Sequence, residues 1–412
     1  MTAAREFFKD TLRLGRVVLA PDRDADGLCS GAIALRTLQK LGHPDVQVCF
    51  LGKGQNVHQP EAIAALAALE PKALIVLDQG SRTGALLPAV PTLVIDHHAS
   101  TAFPDGAQVL SAYGHEPVAT TSLLAYICCS PLHPALGDTL DWLAILGTFG
   151  DLGTAFKWVP PFPDLGAATR KYKRTKLSQA VSLLNAPRRT AKCDAMNAWR
   201  VLLQAQCPAD IADGEVAGVA ALQGCRDEVT AEVNRCARTP PRFSEDGRVA
   251  LVTISSGAQI HPLIATRWAR TLKGKTLQMV MVANTGYLPG HVNFAARICD
   301  HLRGTDNEPN LIEVFKAAAS KKEGLLESMG ENFARGHAQA SGGIVVREAY
   351  DQLLQALGFG EDGKGFSQNN GRPSGGSSKR AKAVESATLM PNGKKAKTLT
   401  SFGFSTSKKP EQ

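Results

Sequence analysis

The sequence predicts an α/β protein: a doubly wound parallel sheet, then a helical connector and a smaller mixed α/β domain. Three observations carry this. RVVLA (16–20), VQVCFL (46–51), ALIVLD (73–78) and TLVID (92–96) are apolar runs rich in Val, Ile and Leu without strict alternation. Strands buried on both faces read this way. Between them, GLCSGAIALRTLQKLG (27–42) and EAIAALAALE (61–70) place apolar residues at helical spacing, and alternation of strand and helix implies parallel strand order. Ligands of such sheets gather at the carboxyl ends of the strands.

The first domain is expected to span 1–158. From 159 to 245 the chain reads as helical and polar, with the basic run RKYKRTK (170–176) and the segment LLNAPRRTAKCDAMNAWRVLL (183–203). A second domain is expected over 246–357, with strands in RVALVTIS (248–255) and LQMVMVAN (277–284). Its helices are expected in IHPLIATRWARTLKG (260–274) and REAYDQLLQALGF (347–359). From 358 to 412 the composition turns to Gly, Ser, Asn and Lys, which predicts a disordered basic tail.

At 44% hydrophobic and 20% charged, the 412 residues suffice for two cores. No apolar run approaches the roughly 20 residues of a membrane span, and the N-terminus has no apolar segment of the signal-peptide kind. Nine scattered cysteines, none in a CxxC pair, suggest reduced thiols in an intracellular protein. The net charge of +8 is concentrated: residues 358–412 carry +6, leaving +2 for the body. Binding of a polyanion by the body must therefore rest on local grooves.

Acids and imidazoles fall where the ligand should sit. Asp22, Asp24 and Asp26 follow the first run, Asp78 ends the third, Asp96, His97 and His98 end the fourth, and Asp151 follows the apolar WLAILGTFG. Converging on one crevice, these acids repel unless cations neutralise them. Oxygen-rich ligands with a few imidazoles suit Mn2+ or Mg2+, and two such ions about 4 Å apart can clamp both oxygens of a phosphoryl displacement.

In order and spacing, DRDADG (22–27), LDQG (77–80), DHH (96–98) and GDLG (150–153) resemble the four motifs of the DHH phosphoesterase superfamily, in the RecJ-like version whose first motif is Asp-x-Asp-x-Asp-Gly. NAPRR (185–189) resembles the RecJ-type connection, and IHP (260–262) a RecJ-like turn. NFAAR (293–297) and GHAQASGG (336–343) are similar to signatures of the DHHA1 domain, although Arg335 stands where a further glycine is usual. The resemblance covers roughly residues 16 to 357.

It implies two Mn2+ ions, with Mg2+ as the other candidate. Asp22 and Asp24 would hold the first ion, Asp26, His97 and Asp151 the second, and Asp78 would bridge them. His98 would lie beside the scissile phosphate, with Asp96 orienting a histidine. Arg297, Gly336, His337, Ser341, Gly342 and Gly343 would bind substrate, the glycines by letting backbone N–H groups approach a phosphate. The implied activity is RecJ-like hydrolysis of nucleic-acid phosphodiesters from an end, on single-stranded nucleic acid or short oligonucleotides. A small-substrate phosphoesterase (short oligonucleotides, nucleotide phosphates or polyphosphate) and a catalytically inactive replication scaffold are the alternatives.

In the tail, the basic clusters 379–382 and 394–397 lie eleven residues apart, a bipartite nuclear-import spacing. Leu399, Phe402 and Phe404 resemble the anchors of a sliding-clamp-binding segment, with Ala396 in place of its glutamine and Gly403 between the aromatics. Together they point to nuclear DNA replication or repair.

Overall fold

Helix α1 (Thr2–Asp10) leads into β1 (Val17–Pro21), α2 (Ala25–Lys40), β2 (Val46–Val48), α3 (Pro60–Ala67), β3 (Ala73–Leu77), β4 (Thr92–Asp96) and β5 (Gln108–Ser111). Helices α4 (Thr121–Cys129) and α5 (Gly137–Leu152) follow. The computed structural model describes residues 1–360, so the import-type clusters and Leu399, Phe402 and Phe404 lie outside the described residues. The five strands are all parallel, in the order β2-β1-β3-β4-β5.

Every residue of β1, β3 and β4 is buried. Side chains alternate across a strand, so Val17, Leu19, Ile75, Leu77 and Ile95 meet α2, α4 and α5 on one face. Val18, Ala20, Leu74, Val76 and Val94 meet α3 on the other. Two apolar faces are why these strands read as continuous runs. The edge strand β5 was not anticipated, because Gln108 and Val109 are exposed and leave no such run.

The connector comprises α6 (Gly166–Tyr172), α7 (Arg174–Leu184), α8 (Ala186–Arg189), α9 (Ala195–Gln204), α10 (Pro208–Ala212) and α11 (Val219–Cys236). Its Leu177, Leu184, Trp199, Leu202, Ile211 and Leu222 join the same core as α2 and α5. The connector is therefore part of the first domain's interior.

The second domain contains β6 (Arg242–Phe243), β7 (Val249–Ile254), α12 (His261–Thr271), β8 (Met279–Asn284), β9 (His291–Ile298), α13 (Leu311–Ala319), α14 (Leu325–Ser328), β10 (Arg335–His337), β11 (Ala340–Val346) and α15 (Arg347–Ala356). Its sheet runs β10-β11-β9-β8-β7-β6, parallel between β7 and β8 and antiparallel elsewhere. The expected limits of 246 and 357 are both too narrow. Strand β6 already pairs with β7 from Arg242, while Phe359 is buried in the core and Glu245 donates to the Gly358 carbonyl.

Three contacts pin this domain over the carboxyl end of the first sheet. Lys53 Nζ donates to the Gly257 carbonyl at 2.6 Å and lies 4.1 Å from the Tyr287 ring centre. Arg82 reaches Glu331 at 3.2 Å and Asn332 at 2.8 Å. The Gln259 amide donates to the Arg189 carbonyl at 2.8 Å. No helix among the described residues is long and apolar enough to cross a membrane.

Candidate metal centre

The loop after β1 and the start of α2 place three acids within five residues. Asp24 caps α2, accepting from the amides of Asp26 and Gly27 at 3.1 Å through Oδ1, while its Oδ2 faces Arg188. Gly27 is required here, since a Cβ would lie 2.4 Å from the Asp22 carbonyl oxygen. Asp26 is fully buried, and its two oxygens accept from the first amides of α4, Thr121 at 2.7 Å and Ser122 at 2.9 Å. A helix N-terminus is a favourable place for a carboxylate, so α4 fixes the orientation of Asp26 and favours its ionised form.

Asp78 follows β3 with φ of +63°. This left-handed backbone aims its carboxylate across the sheet, where Thr121 Oγ1 donates to it at 3.0 Å. His97 arrives from the end of β4 and Asp151 from the last turn of α5.

The outcome is two overlapping ligand groups. Asp22, Asp24 and Asp78 each offer an oxygen within 4.8 Å of the others, as do ligand atoms of Asp26, Asp78, His97 and Asp151. Asp78 belongs to both, and also to a third group with His97 and His98. The buried His97 Nε2 lies 3.1 Å from Asp151 Oδ2, 3.4 Å from Asp78 Oδ1 and 3.9 Å from Asp26 Oδ2, but makes no well-directed hydrogen bond to any of them. A buried imidazole nitrogen facing three carboxylate oxygens fits a shared cation, and the oxygen-rich donor set fits Mn2+ or Mg2+.

Electrostatics say the same. Burial, then the charges of Asp26, Asp24, Asp151 and Asp22, push Asp78 well above the ordinary carboxylate value. Burial and Asp151 raise Asp26 to about 7, and burial and Asp24 raise Asp22. Burial also opposes ionisation of Asp24, but Arg188 and the Gly27 amide outweigh it and hold Asp24 low. Bound cations would relieve this repulsion.

Asp96 stands one step back. It accepts from Ser81 Oγ at 2.6 Å and from His98 Nδ1 at 2.8 Å. Burial works against its charge, yet His98 and Ser81 bring it down to about 2. Burial likewise disfavours the His98 imidazolium, and the bond to Asp96 overrides it to lift His98 to about 9. The engaged Nδ1 also lies 3.8 Å from Asp78 Oδ1, and the His98 side chain is 51% exposed, leaving Nε2 free.

The second domain contributes less uniformly. Burial lowers His337, and the charges of His97, His98 and Arg297 lower it further. Arg297 is lowered by burial and by Arg303. The glycines expected to let N–H groups approach a phosphate are also tightly packed within the sheet. Strand β11 is paired on both sides at Ser341 and Gly342, so those backbone groups lie within the sheet. A Cβ on Gly342 would lie 2.3 Å from the Phe294 carbonyl oxygen, and one on Gly336 2.4 Å from that of Ala340. A Cβ on Gly343 would press on Asn332 O and the Phe294 ring, while Ser341 Oγ donates to the Arg335 carbonyl at 3.0 Å. Close strand packing is thus a constraint on all four of these positions.

Two groups at the centre were given no role from sequence. Arg188 Nη2 lies 3.5 Å from Asp24 Oδ2 and its Nε donates to Asn185 Oδ1 at 3.1 Å. Asn185 Oδ1 also accepts from the Ala25 amide at 3.1 Å, tying α2 to the connector. NAPRR was the visible signal, though nothing in it says which way Arg188 points.

The N-terminal domain of the DHH family matches residues 16–145. No curated protein matches the chain. Among solved structures, exonuclease RecJ bound to manganese is 19% identical, with 86% of this chain and 92% of that one aligned and a TM-score of 0.56. RecJ from Thermus thermophilus in complex with Mn2+ is 20% identical over 86% of this chain, with a TM-score of 0.59. There the match spans only 53% of the other protein, about half its length. The DHH domain of a member of a family of ribosomal proteins is 15% identical, covering 87% of this chain and 89% of that one, with a TM-score of 0.60. These likenesses establish the fold.

Proposed function

With residues 16–145 forming a DHH-family domain in a RecJ-like fold, we propose that the chain is a divalent-metal-dependent phosphodiesterase that hydrolyses nucleic-acid strands from an end. The observation that carries this is the pair of ligand groups sharing Asp78. Asp22, Asp24 and Asp78 would hold one ion, and Asp26, Asp78, His97 and Asp151 the other. When bound, two such ions clamp the attacking and leaving oxygens of a phosphoryl displacement.

The chain's own part is positioning and proton handling. Asp96 fixes His98 by its Nδ1, so Nε2 can donate to a phosphate oxygen or pass a proton to the departing oxygen. Arg188 neutralises the Asp24 side of the crevice, and Arg297 and His337 add donors for a phosphate opposite. The complete ligand set disfavours an inactive scaffold, which needs none of it. The tail supports a nuclear setting: clusters 379–382 and 394–397 would direct import, and Leu399, Phe402 and Phe404 would dock on a sliding clamp. Retention of the full chain on immobilised clamp, lost in Phe402→Ala, tests that part.

The activity test is incubation with Mn2+ and end-labelled DNA and RNA strands of about two to forty nucleotides, beside a His98→Ala variant. Progressive shortening by the wild type alone is expected. Turnover of only the shortest species would redirect the reading to small substrates. Silence at every length would refute it.

A further inference from the structure

The basic run 170–176 is not used by the metal centre. It holds five cations and no acid, in a body whose charge is otherwise nearly balanced. Arg170, Lys171, Lys173 and Arg174 are exposed. Lys176 pairs with Asp213, whereas among the described residues Arg170, Lys173 and Arg174 form no ion pair. The nearby Asp164 is engaged with the Gly166 amide.

These three cations border a cleft of about 380 Å3 with Trp158, Gly166 and Thr169. Lys173, at φ of +61°, breaks α6 from α7, and the turn sets Arg170 and Arg174 along the same rim. Trp158 is held in place: Nε1 donates to Thr169 Oγ1 at 3.0 Å, and Phe156 packs edge-on with ring centres 4.9 Å apart. The indole is therefore a fixed, half-buried plate beside three cations that form no ion pair among the described residues, although the Asp164 carboxylate borders Gly166 together with the Arg170 guanidinium.

We propose that this cleft binds single-stranded nucleic acid running on from the scissile bond, with phosphates on Arg170, Lys173 and Arg174 and a base against Trp158. The proposal rests on the nuclease reading and adds a substrate-length requirement to it. Single-strand sites combine cations along the backbone with aromatic faces for bases. A duplex keeps its base faces stacked, and an acidic peptide has no use for the indole. Trp158 follows the ligand Asp151 by seven residues, so the plate lies within about 24 Å of it along the chain. A stacked strand at ~3.4 Å per nucleotide would cover that in at most about seven nucleotides.

The test uses the full chain, Arg170→Ala/Lys173→Ala/Arg174→Ala and Trp158→Ala variants of it, and Trp158→Phe as the conservative control, all checked for native circular dichroism. Binding of a fluorescent single strand of about 20 nucleotides is measured in EDTA by anisotropy over a salt series. The triple variant should bind at least about tenfold more weakly, with a log–log salt slope reduced by about two, as three lost phosphate contacts require. Trp158→Ala should weaken binding about tenfold, and Trp158→Phe should restore most of it. An unchanged affinity or slope in the triple variant would overturn the proposal. So would displacement of the strand by polyglutamate at equal charge concentration. Cleavage with Mn2+ is read separately: a wild type that binds the strand through these residues yet cuts nothing defeats the nuclease reading alone.

Discussion

Replacing Asp78 by Asn isolates the shared ligand. Asp78 sits at φ of +63°, a backbone that Asn tolerates better than other side chains. Alanine would add about 1–2 kcal/mol of backbone strain and confuse the result. Asn also keeps an oxygen for Thr121 Oγ1, now 3.0 Å from the carboxylate. What changes is the charge that two ions would share. Losing outer-shell partners of metal ligands weakens affinity about 10–100-fold, so a ligand common to both ions should reach at least the top of that range. At Mn2+ one hundred times the wild-type Kd, the wild type gains about 2.7 kcal/mol on binding. A variant bound one hundredfold more weakly gains only about 0.4 kcal/mol at the same concentration. By differential scanning fluorimetry the wild type should therefore rise by several degrees with Mn2+, and the variant by under about two. In EDTA the order reverses or levels, because Asp78 is buried among acids that repel its charge. A variant that retains two tightly bound Mn2+ by elemental analysis, or melts well below the wild type in EDTA, would refute the shared-ligand geometry.

Gly147→Ala should cripple the site from behind, since its Cβ would lie 2.3 Å from Ser122 Oγ and 2.8 Å from Asp26 Oδ1. A loss of about 1–3 kcal/mol in urea unfolding is expected, with weakened Mn2+ uptake by titration calorimetry. Arg188→Ala removes the cation beside Asp24. As its side chain is 23% exposed, the loss should stay below the ~3–5 kcal/mol of a fully buried pair, and it should shrink when Mn2+ is present. Metal uptake should also depend on pH. Asp26, raised to about 7 by burial and Asp151, holds a proton below that pH, and a metal needs the ionised form. Apparent Mn2+ affinity should therefore fall as pH drops below about 7, and calorimetry in buffers of different ionisation enthalpy should detect proton release at pH ~6. A flat affinity between pH ~6 and ~8 would contradict this.

The strands at 17–21, 73–77 and 92–96 were legible because their two faces are buried, and the acids were legible because they stand at the ends of those strands. Covalent neighbours carry that information. The capture of Asp26 by the amides of Thr121 and Ser122 crosses ninety-five residues and depends on backbone groups every residue possesses, so no side-chain pattern announces it. The glycines at 336, 342 and 343 were visible as a motif, but the motif does not say whether the missing Cβ makes room for a ligand or for a neighbouring strand. The structure finds the Ala340 carbonyl beside Gly336, the Phe294 carbonyl beside Gly342, and the Asn332 carbonyl with the Phe294 ring beside Gly343. Strand β5 was hidden by its own exposure at the edge.

The filling of the first core by the connector bears on how this protein can be divided. A fragment ending at 158 would strip Leu177, Leu184, Trp199, Leu202 and Leu222 from the core they share with α2 and α5, exposing a large apolar surface of the kind that drives aggregation. It would also lose Asn185 and Arg188 from beside the acids. A piece that keeps this core whole must therefore run at least through α11, and the connector has to travel with the first sheet.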